Sequence, residues 1–286
     1  MVEFERRTAL PRIERLRALF ISPAALLMLV TLAIPSTIVC LYSLLTRGAY
    51  GGVERPWTLE NFKLLGDPLY LMIFFRSLWI AAAATALCIG LAFPLVLFIA
   101  RSRRKNLCLS LVILPFWTSF LIRIYAWMFL LRDTGLINTI LRGAGLIHDP
   151  LPLLYNDGAV LLGLVYGFLP FAVLPLYATV ERLDPALLEA AADLGAKPLD
   201  ALFRVTIPLC APGIRAAAIL TFVPCLGTYL TSDLLGGSKT ILIGNVIQNQ
   251  FTAARDWPFG AALSVVLMML ALVLMFAARR HGEELV

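Results

Sequence analysis

Residues 181–215 read ERLDPALLEAAADLGAKPLDALFRVTIPLCAPGIR. They separate two charge-free intervals, 158–180 and 216–232, and are far longer than a helical hairpin requires. Asp184-Pro185 supplies an N-cap followed by proline at the first helical position. Leu187, Leu188, Ala191 and Leu194 then recur near helical spacing and give one apolar face. Gly195 ends or bends that helix, Lys197-Pro198 turns the chain, and Leu199 to Val205 begins a second short helix. The stretch predicts a compact helix–turn–helix projecting from a bundle, with alanines that let another protein approach closely. A plain connector is the competing reading, and its length argues against it.

Outward from this loop the chain is made for lipid. Of its 286 residues 60% are apolar and 15% charged, with a mean hydropathy of +0.86. A soluble domain carries about 45–50% apolar and about 25% charged residues. The net charge of +6 fits a positive-inside bias and anionic lipid, without recourse to nucleic acid. Cys40, Cys88, Cys108, Cys210 and Cys225 all lie in or beside apolar runs, with no C-x-x-C, and read as core fillers. His148 and His281 stand far apart, so no metal site is expected.

Charge is costly at the bilayer centre, so charge-free intervals of roughly 20 residues locate the spans. Six are predicted, over about 19–45, 73–100, 107–131, 158–180, 209–232 and 257–278. They compose an all-α membrane domain, 19–280, between a cytoplasmic tail 1–18 and a short tail 281–286. The fifth is the shortest interval, and Pro208 and Pro212 point to a kink or helix start there. Lys and Arg number 15 on the side of the N-tail, 101–105, 181–215 and the C-tail, against 8 on the other. Both termini are therefore expected in the cytoplasm. The Arg-rich tail reads either as a short helix on the inner leaflet or as a solvated topology signal.

The spans lack Asp, Glu, His and Lys, so no nucleophile–base pair, carboxylate pair or metal cluster is available for catalysis. Gly236 to Thr240, GGSKT, resembles the end of a P-loop but lacks the leading glycine and the adjacent Gly-Lys, and reads as a turn. Arg123 is the one ionised residue well inside a span. A charge at the helix centre costs about 2.5–3.5 kcal/mol on insertion scales. Arg123 lies nine residues before Arg132, about 13 Å from the outer end at 1.5 Å per residue. Two readings stand. In the favoured one Arg123 is structural, bonded to carbonyls freed near Pro170 or Pro175 or paired with Asp233. In the other it lines the pathway and repels cations. Attraction for a cationic cargo is expected from Trp117, Tyr125 and Trp127 by cation–π contact, and from Asp233.

Glu189-Ala190-Ala191, Gly195 four positions on, then Val205, Ile207 and Pro208 resemble the EAA loop of ABC importer permeases. That pattern is EAA, three residues, Gly, nine residues, Ile, one residue, Leu-Pro; Val205 and Ile207 are size-preserving departures from it. LPFWTSFLIRIYAWMFLL at 114–131, YGFLPFAVLPLY at 166–177 and LLGG at 234–237 narrow the likeness. They resemble the spermidine/putrescine permeases, in particular the first of that system's two membrane subunits. The resemblance implies the type I importer fold, a loop (181–208) that docks on a cytoplasmic ATPase dimer, a second and different permease chain, and an extracytoplasmic solute-binding protein. It implies a bacterial cytoplasmic membrane, alternating access, and no cofactor on this chain. Opine, aminophosphonate or other amine cargoes fit the same architecture. A self-sufficient channel or a membrane scaffold is the alternative from another class; no symmetric charge ring or carbonyl filter supports the first.

Overall fold

A computed structural model describes the backbone of residues 2–283 and the side chains of residues 22–278. The chain runs α1 (Val2–Ser43), a hairpin of β1 (Leu45–Arg47) and β2 (Val53–Trp57), α2 (Glu60–Leu64), α3 (Pro68–Arg101) and α4 (Lys105–Ile113). After α4 come α5 (Phe120–Leu131), α6 (Leu136–Gly143), α7 (Asp157–Val180), α8 (Pro185–Asp193), α9 (Pro198–Ala201) and α10 (Ile207–Leu209). α11 (Ala211–Gly227), α12 (Ile243–Phe251) and α13 (Trp257–Glu283) complete it. The side-chain reading of the N-terminal tail and of the last residues lies outside the described residues.

Four helical segments are long and apolar enough to cross a membrane: Ser22–Ser43, Pro68–Arg101, Asp157–Val180 and Trp257–Ala278. The other two intervals are not straight rods. Lys105–Trp117 meets Phe120–Gly143 at 88°, and Pro198–Leu209 meets Ala211–Gly227 at 68°; with each bent pair as one span the count is six. The expectation of one helix over 107–131 is thus corrected. Pro115 removes a helical donor, and the backbone N–H and hydroxyl of Thr118 both donate to the Pro115 carbonyl, closing a 3₁₀ turn over Leu114–Trp117. Thr118 is extended, and α5 starts afresh after Ser119. Composition could not reveal this, because both sides of the break are equally apolar. The fifth span, expected over 209–232, ends earlier, at Gly227, where Thr228 turns extended, and its bend falls at the kink that Pro208 and Pro212 pointed to.

α3, α7 and α11 pack on one another and form the centre. Two buried clusters fill it. One, toward the hairpin end, gathers Ile80, Ala84, Ile124, Leu164 and Leu226; the other, toward the 181–215 loop, gathers Cys88, Val96, Ile99, Val173 and Leu176. Close approach of α7 and α11 requires Gly213, since a Cβ there would overlap the Thr179 side chain and reach 3.1 Å from the Pro175 carbonyl oxygen. Cys88, Cys210 and Cys225 are buried, consistent with packing roles, and the five cysteines are free thiols. α1 stays at the margin: it touches α13, while Leu26, Leu29 and Leu32 are exposed. That is the apolar surface a lipid-facing helix carries.

Candidate functional site

The loop after α7 is organised by its own sequence. The Asp184 side chain accepts from the Ala186 N–H at 3.0 Å and caps α8, with Pro185 at the first position. At the other end the Gly195 N–H donates to the Ala192 carbonyl at 2.8 Å and the Ala196 N–H to Ala191 at 3.0 Å. Gly195 itself sits at φ +83°. This double bond with a left-handed residue is a Schellman termination, which is why glycine stands there. A Cβ at Gly195 would meet no atom of this chain within 4 Å.

Beyond the turn, α9 runs into a π-helical turn over Leu202–Thr206, where a continuous second helix to Val205 was expected. α8 packs back on this turn, and Leu183, Leu187, Leu188, Val205 and Thr206 line the crevice between them. The predicted apolar face of α8 is therefore split. Leu188 and Ala191 are half-buried against the turn, as are Val205 and Ile207, whereas Glu189, Ala190 and Pro208 face outward. Leu194 is 90% exposed, and Leu199 and Phe203 stand clear beside it. At its root the loop is fixed by Lys105 Nζ, 2.5 Å from Glu181 Oε1. The Lys105 ammonium, with a further bond from Tyr177, holds the Glu181 carboxyl below its ordinary value.

The second group of predicted residues surrounds the break in the third span. Trp117 is 87% exposed at its corner, and Tyr125 is exposed on α5. Trp127 is elsewhere, edge-on to Tyr166 with centroids 5.6 Å apart. Arg123 is buried. Among the described residues it forms no ion pair, so the postulated Arg123–Asp233 bridge is corrected, and its Nε and Nη1 find no carbonyl. The guanidinium instead lies over Phe116, 4.4 Å from the ring centre, and Phe120, 5.5 Å away. Those rings meet Phe171 and Phe168 of α7. Sequence reasoning missed both phenylalanines: Phe120, three residues before Arg123 on α5, was within reach of helical spacing, whereas Phe116 comes from across the break.

Asp233 is exposed on a π-helical turn, Ser232–Gly236, that packs against α5 and α7. Ser232 anchors that turn by donating to Asn245 Oδ1 of α12 at 2.5 Å, while Asn245 Nδ2 donates to the Tyr229 carbonyl at 3.2 Å. The adjoining GGSKT segment is a turn, with Gly237 at φ +54°, and its buried Thr240 donates to Asp157 Oδ1 at 2.5 Å. Arg76 Nη2 reaches the same oxygen at 2.7 Å. This Arg76–Asp157–Thr240 link between α3, α7 and the 236–240 turn was invisible in the sequence, because its members are 81 and 83 residues apart. Among the described residues no cluster could hold a metal ion.

The family model for the binding-protein-dependent transport system inner membrane component matches residues 91–281. The spermidine/putrescine transport system permease protein PotB of Haemophilus influenzae is 42% identical over 254 residues, 88% of this chain and 89% of its own length. PotB of Escherichia coli K12 is 45% identical over 236 residues, 82% and 86% of the two chains. Among solved structures, a chain of a bacterial ABC transporter that imports alginate aligns with TM-score 0.71 and 19% identity, covering 98% of this chain and 99% of its own. Its complex with a periplasmic protein bound to an alginate pentasaccharide gives 0.75 at 18% identity, over 96% of both. At such identities the likeness shows the fold, that of type I ABC importer permeases. This is a multi-pass transport subunit and not an enzyme. The chain belongs to the inner membrane components of binding-protein-dependent transport systems.

Proposed function

We propose that this permease carries polyamines, spermidine and putrescine, across a bacterial cytoplasmic membrane by alternating access. In this reading it pairs with a different permease chain, receives cargo from an extracytoplasmic binding protein and is driven by a cytoplasmic ATPase dimer. The chain carries no cofactor of its own. The single observation behind the coupling role is the exposed, locally locked helix α8 with its unpaired apolar neighbours Leu194, Leu199 and Phe203. Such a surface suits the cleft of another protein. Glu189, Ala190, Ala191 and Gly195 form the docking segment, and Val205, Ile207 and Pro208 set its angle to α11. The polyamine assignment is supported by the spermidine/putrescine relatives, and by aromatic and acidic groups, Trp117, Tyr125 and Asp233, exposed near the break.

The charge asymmetry supports N- and C-termini in the cytoplasm. Reporter fusions after Gly143 and Lys197 are expected on opposite sides, and identical signals would exclude that topology. Function is tested by uptake of labelled putrescine, spermidine and unrelated amines into cells carrying the whole transport system. Saturable uptake of the two polyamines, competed by neither opines nor aminophosphonates, is expected; uptake of another amine in their place would refute the cargo assignment.

A further inference from the structure

Arg123 has a charge that the structure leaves uncompensated. It is 8% exposed, and its Nε and Nη1 are buried without hydrogen-bond partners. Among the described residues no carboxylate forms an ion pair with it. Its neighbours are two ring faces, Phe116 before the break and Phe120 after it, so the guanidinium straddles the bend. Ring faces stabilise a cation through their quadrupole but carry no net charge. A full positive charge therefore stands in low-dielectric surroundings, where its field reaches farther than in water.

Packing alone does not call for it. A methionine would fill the space between the rings without the insertion cost of a charge. Exposed groups of the proposed cation path share this bent span or pack against it. Trp117 and Tyr125 are exposed on the same bent span, and the turn carrying the exposed Asp233 packs against α5.

We propose that Arg123 is a specificity-determining residue, a fixed positive charge beside the path that opposes a trication more than a dication. The inference rests on the polyamine reading. Repulsion grows in proportion to the charge of the cargo, so a triamine meets a higher barrier than a diamine. Asp233 and the exposed aromatics supply attraction on the same path, and the balance ranks the cargoes by charge.

The test uses the complete importer, with both permeases, ATPase and binding protein, in proteoliposomes. The binding protein is saturated with putrescine or with spermidine, so that uptake reports passage and not capture. Arg123→Met is expected to raise the spermidine-to-putrescine uptake ratio by about fifteenfold, the effect of one additional unit charge about 10 Å away at an effective dielectric of about 20. Arg123→Lys, which keeps the charge, is expected to keep the ratio. A ratio unchanged in Arg123→Met overturns the proposal, whatever happens to the absolute rate. If that variant does not insert, Arg123→Gln carries the same readout. Failure of both to insert, with Arg123→Lys normal, also overturns it by assigning the charge to assembly. A wild-type importer that takes up neither polyamine refutes the cargo reading, and this inference with it.

Discussion

In the loop between Asp184 and Leu209, order comes from neighbours in sequence. Asp184 caps α8 from two residues away, and the Gly195 turn closes on carbonyls three and five residues back. At the break between Leu114 and Arg123, order comes from across the fold. A guanidinium rests on two rings, and those rings rest on α7. The loop is exposed, so its apolar residues remain available to a partner; the break is buried on its Arg123 side, where the guanidinium rests on rings and its Nε and Nη1 find no partner. Local bonds suffice where water can satisfy whatever they leave open. Away from water, a segment needs its tertiary neighbours before it has a defined shape.

Gly195→Asp gives the sharpest contrast and the largest expected effect. A left-handed residue costs a non-glycine about 1–2 kcal/mol, and the new side chain meets no atom of this chain. The protein is expected at normal membrane levels with uptake at background, because the added group and charge lie on the face proposed to dock on the ATPase. Normal uptake together with normal ATPase pull-down would reduce the loop to a connector. Glu189→Lys is expected to weaken ATPase co-purification for the same reason.

Gly213→Val attacks the opposite kind of order. The Thr179 side chain and the Pro175 carbonyl stand where its Cβ must go. Overpacking of this kind costs about 1–3 kcal/mol, so a lower melting temperature and reduced membrane level are expected. An unshifted melt would mean that α7 and α11 separate readily.

Asp184→Ala should act smaller and nearer. Loss of an N-cap costs about 0.5–2 kcal/mol, confined here to α8. Hydrogen exchange is expected to quicken over residues 185–193 and to stay unchanged in α3 and α7. Global destabilisation would show that the loop is tied to the bundle more tightly than its exposure suggests.

The smallest effect belongs to Lys105 and Glu181. The folded carboxyl is held below its unfolded value, so its contribution is present above about pH 4.3 and is lost as pH falls through the lower folded value. Both side chains are well exposed, which keeps the pair weak at neutral pH. The melting difference between wild type and Lys105→Met is expected to be small and constant from pH 7 to pH 5, closing only below about pH 4. A difference that grows on acidification would contradict the pairing.

The sequence by itself determined the membrane class and the 181–208 loop with its cap and its glycine stop. These are properties of composition and of residues a few positions apart, and hydropathy and capping act at that range. It also singled out Arg123 as a residue needing a reason, with Asp233 as its candidate partner. Only the tertiary structure decided that the third span bends, since apolar residues on both sides of Thr118 hide the change of direction, whereas Pro208 and Pro212 already marked the kink in the fifth. Only it decided that Arg123 faces Phe116 and Phe120 instead of Asp233, and that Arg76, Asp157 and Thr240 meet. Partner choice for a buried charge depends on which groups the packing brings within about 6 Å, and that distance is set by how α5, α7 and the 232–236 turn come together.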